Sequence, residues 1–288
     1  MAYNLSNPMP GVGTTMDKDF YIKKGMSGSM PELPEVETLR RQLTKEILGC
    51  AIQDLIVLDA KLGYVENIVG LHVLSVNRQG KFLLIRLDQD RTLQIHLRMS
   101  GRLLWQNHPD ILPAHCRFMI CFPQGRLACI DPRRFATLSL QDGMDRTAHI
   151  PDPLKAFDAS ILRKIAQGRQ APVKSLLLNQ AIIAGIGNIY ACEMLHKAAI
   201  SPRCKAGNLS PAAWREVAQA GRNILRKATT CRGTSISDWR DLYGEKGEYL
   251  DHLVVYGREG LPCRRCGGEV KRTVISGRGT YFCTSCQK

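Results

Sequence analysis

Apolar residues recur at three- and four-residue intervals in PELPEVETLRRQLTKEILG, where Val36, Leu39, Leu43 and Ile47 share one face, so the spacing predicts a helix just after Met30. Pro34 suits its first turn, Glu35 and Glu37 suit its positive end, and Gly49 ends it. From about 51 to 140 the period shortens. HVLSV, KFLLIRL, TLQIHLRM, RFMICF and RLACI are short, β-rich runs separated by turn signals such as Asp88-Gln89-Asp90 and Pro123-Gln124-Gly125, a pattern that predicts an antiparallel sandwich or barrel. The segment 141–158 carries acidic residues, Gly and several prolines and reads as a hinge. Helical spacing returns at 160–165, 173–180, 189–199 and 211–227. The last of these is capped by Ser210, with Pro211 at its first position and Trp214, Val217, Ala218, Gly221 and Ile224 as its buried stripe. Beyond Val254 few residues can build a core, so the tail needs something else to fold. Residues 1–29 show no sustained apolar period and read as disordered. Their acidity and irregularity do not suit a transit peptide, and methionines at 1, 9, 16, 26 and 30 leave the translation start open.

A chain of 288 residues holds about two domains, each able to bury its own core. Forty Lys and Arg against 26 Asp and Glu give a net charge of +14, which favours a polyanionic partner, nucleic acid ahead of an anionic membrane surface. The apolar runs are too short to span a bilayer, so no membrane partner is expected. Eleven cysteines with no apolar leader fit a reducing cytoplasm, where clustered cysteines serve as metal ligands or in catalysis more often than as disulfides.

Cys263-x-x-Cys266, sixteen residues, then Cys283-x-x-Cys286 is the spacing of two knuckles closing a tetrahedral zinc site; paired redox dithiols or free thiols are the alternatives. Four thiolates leave no open coordination position, so one structural zinc ion is expected. Arg264, Arg265, Lys271, Arg272 and Arg278 make this hairpin basic, fit either for phosphate contacts or as a solvated loop. The other seven cysteines are scattered and read as small buried apolar residues. In AGIGNIYACE, Gly185 and Gly187 allow a close turn and Asn188 stands where a helix N-cap would be; such a start either holds a phosphate or merely joins two helices. Asp131-Pro132-Arg133-Arg134-Phe135 offers two cations and an aromatic ring, either a wedge into a base stack or a strand turn with Phe135 in the core. His96, in HLRMSG, and Lys81, after Gly80, add polar groups at strand ends.

Taken in order, MPELPEVETLRR at 30–41, GKFLL at 80–84, HLRMSGRL at 96–103, DPRRF at 131–135, GIGNIYACE at 185–193 and the four-cysteine hairpin resemble the formamidopyrimidine-DNA glycosylase family from Pro31 to Gln287. The resemblance implies an α+β multidomain protein. It has an antiparallel β-sandwich with a flanking helix as catalytic domain (30–150), a helical helix-two-turns-helix DNA-binding domain (151–250) and a zinc finger (251–288), after an extension or mis-annotated start (1–29). The implied activity is excision of 8-oxoguanine and formamidopyrimidines from duplex DNA, then cleavage at the abasic site by a cytoplasmic, nucleoid-associated monomer. By position, Pro31 resembles the nucleophile and Glu32 the proton donor. Lys81 resembles the lysine near the lesion, and Arg278 the finger arginine on the phosphates. Met99, Arg133 and Phe135 match the residues that fill the gap left by the extruded base, Asn188 matches the phosphate-binding asparagine, and His96 and Lys174 are expected at the DNA.

A terminal proline is a secondary amine able to attack the sugar C1′ and form an iminium, whereas an amide nitrogen cannot. Here Pro31 follows thirty residues. Translation from Met30 with loss of that methionine, or proteolysis, would free the amine; a retained extension would leave a damaged-DNA-binding protein that does not cut. An RNA-binding zinc ribbon is a further reading, but the aromatic platform for single strands is missing. In the loop 232–238 some relatives carry a base-contacting lysine near Ser237, and this chain has none, which leaves lesion preference open.

Overall fold

The structure, a computed structural model, describes residues 30–107, 111–143 and 149–288. The expected disordered extension, 1–29, lies outside the described residues. The first helix, α1 (Leu33–Ile47), has Pro34 in its first turn, buries Leu33, Val36, Leu39, Leu43 and Ile47, and ends before Gly49, whose φ of 80° suits glycine.

Eight strands follow: β1 (Asp54–Val57), β2 (Val73–Gln79), β3 (Phe82–Leu87), β4 (Arg91–His96), β5 (Arg102–Gln106), β6 (Cys116–Phe122), β7 (Gly125–Ile130) and β8 (Thr137–Asp142). They form two four-stranded antiparallel sheets, β1-β6-β7-β5 and β2-β3-β4-β8. Ile85, Leu93 and Ile95 from one sheet meet Phe118, Ile120 and Leu127 from the other and the apolar face of α1 in a single core, giving the expected sandwich with a flanking helix. The segment read as a hinge is pinned at Asp152. Its buried carboxylate accepts from the Arg78 guanidinium at 2.6 and 2.9 Å and from the Gly80 amide at 3.0 Å, while Arg78 also reaches Glu37 at 3.1 Å. This buried cluster fixes the β2–β3 turn, and Lys81 with it, against the start of the helical region.

That region comprises α2 (Ala159–Ala166), α3 (Val173–Leu178), α4 (Asn188–Lys197) and α5 (Pro211–Thr230). Asp158 caps α2 through the Ser160 and Ile161 amides, and Ser210 caps α5 through the Ala213 amide. Trp214, Val217, Ala218 and Gly221 are buried as the spacing predicts, but Ile224 is only half-buried and Leu225 takes the interior place. The tail adds a hairpin, β9 (Val270–Ile275) and β10 (Arg278–Cys283). It is less bare than its composition suggests: Tyr256, Val270, Tyr281 and Cys283 share a core with Ile189 and Tyr190 of α4 and Leu225 and Ala228 of α5. Among the described residues no helix is long and apolar enough to cross a membrane.

Candidate functional site

Met30, Glu32, Lys81, Met99, Asn188 and Arg278 line one open cleft of about 510 Å³ where the sandwich, α4 and the β9–β10 hairpin meet. Pro31 is buried, and Met30, bonded to its nitrogen, lines the cleft. Glu32 is buried just before α1. Its Oε1 accepts from the Ile189 amide at 3.0 Å and its Oε2 from the Tyr190 amide at 3.4 Å, so the positive end of α4, which the sequence left open between a phosphate site and a plain helix junction, receives this carboxylate. Burial pushes the Glu32 carboxyl up to about 7; the Lys81 charge opposes the shift and Glu35 adds to it. A carboxyl so placed holds its proton near neutrality, as a general acid must. Burial lowers the Lys81 ammonium from its usual range, Glu32 opposing and Arg278 reinforcing.

The approach of Glu32 to α4 depends on glycine. Gly187 precedes α4 with no side chain, and a Cβ there would overlap the Glu32 carboxyl carbon. Gly187→Ala must displace Glu32, and a misplacement of about 1 Å is worth on the order of 10²-fold in rate. The expected variant is folded by circular dichroism and impaired at least tenfold in any reaction that draws on the Glu32 proton; an unchanged rate would contradict the steric reading.

Asn188 is the first residue of α4 and not its cap, a place taken by Gly187. Its side chain instead accepts from the Lys174 ammonium at 2.6 Å and donates to the Gly279 carbonyl at 2.9 Å. Lys174, expected at the DNA, is 0% exposed. Its Nζ donates to Asn188, Thr280 Oγ1 (2.6 Å) and the Gly279 carbonyl (3.3 Å), so it ties α3 and α4 to the hairpin with its three donors already engaged. His96 pairs edge-on with Phe82, ring centroids 4.5 Å apart, and its Nδ1 accepts from the Arg98 amide at 2.9 Å, which leaves its proton on Nε2. Burial, then the charges of Arg98 and Lys81, lower it to about 4, so the ring is neutral at physiological pH.

Phe135 is 42% exposed, which decides against the core alternative for this ring. The Arg133 guanidinium lies 4.9 Å and the Lys61 ammonium 5.6 Å from its centroid. Fully buried Asp131 shapes the loop by accepting from the amides of Arg133, Phe135 and Ala136 and from the Ser100 hydroxyl at 2.5 Å, which joins this loop to the turn carrying Met99. Asp59 adds a second anchor through Arg117 and Arg134.

The sulfur atoms of Cys263, Cys266, Cys283 and Cys286 lie within 4.8 Å of one another, with 3.8 Å between Cys263 and Cys286 and 3.5 Å between Cys266 and Cys283. A Zn–S bond of about 2.3 Å in a tetrahedron separates sulfurs by about 3.8 Å, so this donor set fits one structural zinc ion. The Ser276-Gly277 turn, with φ of 51° and 69°, then presents Arg278 at the start of β10 to the cleft.

Three family models match successive stretches: the formamidopyrimidine-DNA glycosylase N-terminal domain at 30–138, the H2TH domain of the same glycosylase at 150–239, and the zinc finger found in FPG and IleRS at 260–288. The formamidopyrimidine-DNA glycosylase of Chloroflexus aurantiacus is 41% identical over 271 residues, covering 90% of this chain and 98% of that protein. The chain belongs to the formamidopyrimidine-DNA glycosylase family. A relative of the same name from Pelotomaculum thermopropionicum is 39% identical over 274 residues, covering 90% of this chain and 99% of its own length. The Lactococcus lactis Fpg in complex with DNA containing an abasic site superposes with a TM-score of 0.82 at 32% identity, covering 89% of this chain and 99% of that one.

Within this glycosylase scaffold, sequence reasoning missed the groups that hold the site together. Glu35 is buried and accepts from the Glu32 amide (2.9 Å), the Tyr190 hydroxyl (2.6 Å) and the Thr234 amide (2.7 Å), joining α1, α4 and the segment after α5. That segment crosses to the sandwich, where Trp239 and Leu242 enter the first core and the Leu242 carbonyl accepts from the Trp105 amide at 2.8 Å. Ser237, where some relatives carry lysine, is exposed on it. Lys61 reaches Phe135 across 74 positions, a contact no local pattern signals; Asp59, accepting from the Lys61 amide at 3.0 Å, fixes the turn that brings it there.

Proposed function

We propose that this chain is a base-excision repair DNA glycosylase and abasic-site lyase that removes oxidised purines, 8-oxoguanine and formamidopyrimidines, from duplex DNA. The observation that carries this reading is the convergence of Met30, Glu32, Lys81, Asn188 and Arg278 on one cleft. Met30 occupies the space in front of the Pro31 nitrogen, so its removal exposes a secondary amine to that cleft. With the amine free, its lone pair attacks C1′ of the damaged nucleotide and the C1′–N bond breaks. Glu32 gives its proton to the ring oxygen, and the resulting iminium acidifies C2′–H, so the 3′ and then the 5′ phosphate are eliminated.

The remaining site residues serve access and grip. A base inside a duplex is out of reach, and extruding it costs a few kcal/mol. Met99, Arg133 and Phe135 fill the gap, with the Phe135 ring held exposed by the Asp131 loop. Arg278 grips the backbone beside the lesion, Asn188 holds the turn that carries it by donating to the Gly279 carbonyl, His96 donates from Nε2, and Lys174 acts on DNA only through Asn188. The +14 charge supplies the sequence-independent affinity. The working protein is read as a cytoplasmic monomer, a compartment in which zinc thiolates stay reduced.

The test is incision of a duplex carrying 8-oxoguanine, with borohydride added to reduce the iminium. A chain beginning at Pro31 is expected to nick the strand and form a covalent adduct. Binding with neither nick nor adduct from that form would leave the non-cutting DNA-binding reading.

A further inference from the structure

We propose that His196 is a positioning residue for the zinc site, donating its Nε2 hydrogen to the Cys263 thiolate and latching the finger to α4. His196 is buried on the last turn of α4, with Nε2 3.2 Å from Cys263 Sγ and 3.8 Å from Cys286 Sγ. Four thiolates around a divalent ion leave a net charge of −2, and sulfur in a buried site needs hydrogen-bond donors to carry it. The Arg265 amide, 3.4 Å from the same sulfur, is one such donor from within the knuckle. His196 reaches it from another element. A ring nitrogen facing a thiolate at this distance must bear the hydrogen, because a lone pair there would repel the sulfur.

The surrounding contacts show why a latch belongs at this point. Arg265 of the first knuckle donates to the Lys197 carbonyl at the end of α4 (2.7 Å). Gln287 accepts from the Cys283 amide and donates to the Ile200 carbonyl, both at 2.8 Å, just past the same helix end. The opposite end of α4 receives the Glu32 carboxylate through Ile189 and Tyr190. One helix of ten residues therefore carries the proton donor at its start and the zinc thiolates at its end.

His196→Phe fills the space without a donor and His196→Gln keeps an N–H, so the pair separates hydrogen bonding from packing. Outer partners of metal ligands are worth about 10- to 100-fold in metal affinity. Zinc transfer from the folded protein to a chromogenic chelator is expected to be faster by that factor in His196→Phe, with partial recovery in His196→Gln. In the cobalt(II)-substituted protein the thiolate charge-transfer band moves to lower energy in the Phe variant, because the sulfur lone pairs lose a stabilising donor. Wild-type release rate together with an unmoved band in His196→Phe would overturn the proposal. If that variant does not fold, nitrogen NMR of the unaltered zinc protein decides: a protonated, slowly exchanging Nε2 supports the latch, and an unprotonated Nε2 ends it. Because these readouts concern the metal alone, they stand or fall separately from the glycosylase reaction.

Discussion

Glu32→Gln is expected to lower base excision by about 10²- to 10⁴-fold, the range supplied by a positioned general acid, while making the folded protein more stable above pH 7. Both effects come from the same burial. The carboxyl is carried from 4.5 to about 7 on folding, so between those values the native state binds more protons than the unfolded chain and stability falls as pH rises. The loss amounts to roughly 3 kcal/mol by about pH 7, at 1.36 kcal/mol for each unit. Glutamine has no charge to desolvate and escapes this penalty, although it has one acceptor oxygen for two amides and forfeits the weaker 3.4 Å bond to Tyr190. Thermal melts at pH 5 and pH 8 read the stability: wild type loses melting temperature between them, and the variant loses less. The rate, measured on the form that begins at Pro31, is read as kcat/KM against pH, where the descending limb set by the Glu32 carboxyl is expected to vanish along with most of the activity. Wild-type excision by Glu32→Gln would remove this residue from the proton-donor role.

The Gln variant isolates a kind of contact that no local pattern reveals. The periodicity of Val36, Leu39, Leu43 and Ile47 predicts α1 because a helix repeats its neighbours every three or four residues, and the alternating runs from 72 to 130 predict the sheets for the same local reason. The four cysteines are equally legible, since zinc knuckles impose short spacings. By contrast, Glu32 meets the Ile189 amide across 157 positions, and Glu35 meets Thr234 across 199. Asn188 looked like a cap because asparagine commonly caps helices, yet the acceptor the amides use comes from another element, and this frees the Asn188 side chain for Lys174 and Gly279. Lys174 illustrates the same limit: the family resemblance places it at the DNA, and only its burial shows that its charge is committed to Asn188 and Thr280. Family resemblance supplied Phe135 as a wedge, where the residue pattern alone left the core reading open, and its exposure beside two cations now favours the wedge on physical grounds.

Removal of zinc, by chelation or by Cys263→Ser, is expected to unfold the hairpin and weaken duplex binding by more than tenfold, about 1.4 kcal/mol, while the sandwich stays folded. Structural zinc contributes on the order of 10 kcal/mol to a finger of this kind, more than its few buried apolar residues can replace. The loss does not stop at the hairpin. Lys174 would keep Asn188 but lose Thr280 and Gly279, and Asn188 would lose Gly279, so three hydrogen bonds that tie α3 and α4 to the hairpin go, at about 0.5–1.5 kcal/mol each. The third core would also lose Val270, Tyr281 and Cys283 from its packing on α4 and α5. The first core draws nothing from the hairpin, so its melting transition should persist as a separate event. With Arg278 no longer held at the cleft, the dependence of binding on salt should flatten by about one phosphate contact, a change of about 0.9 in the log–log slope. Affinity and salt slope measured on a metal-free protein with its sandwich intact check both. If neither moves, the finger does not hold the backbone, and the cleft would have to grip DNA from the sandwich and α4 alone.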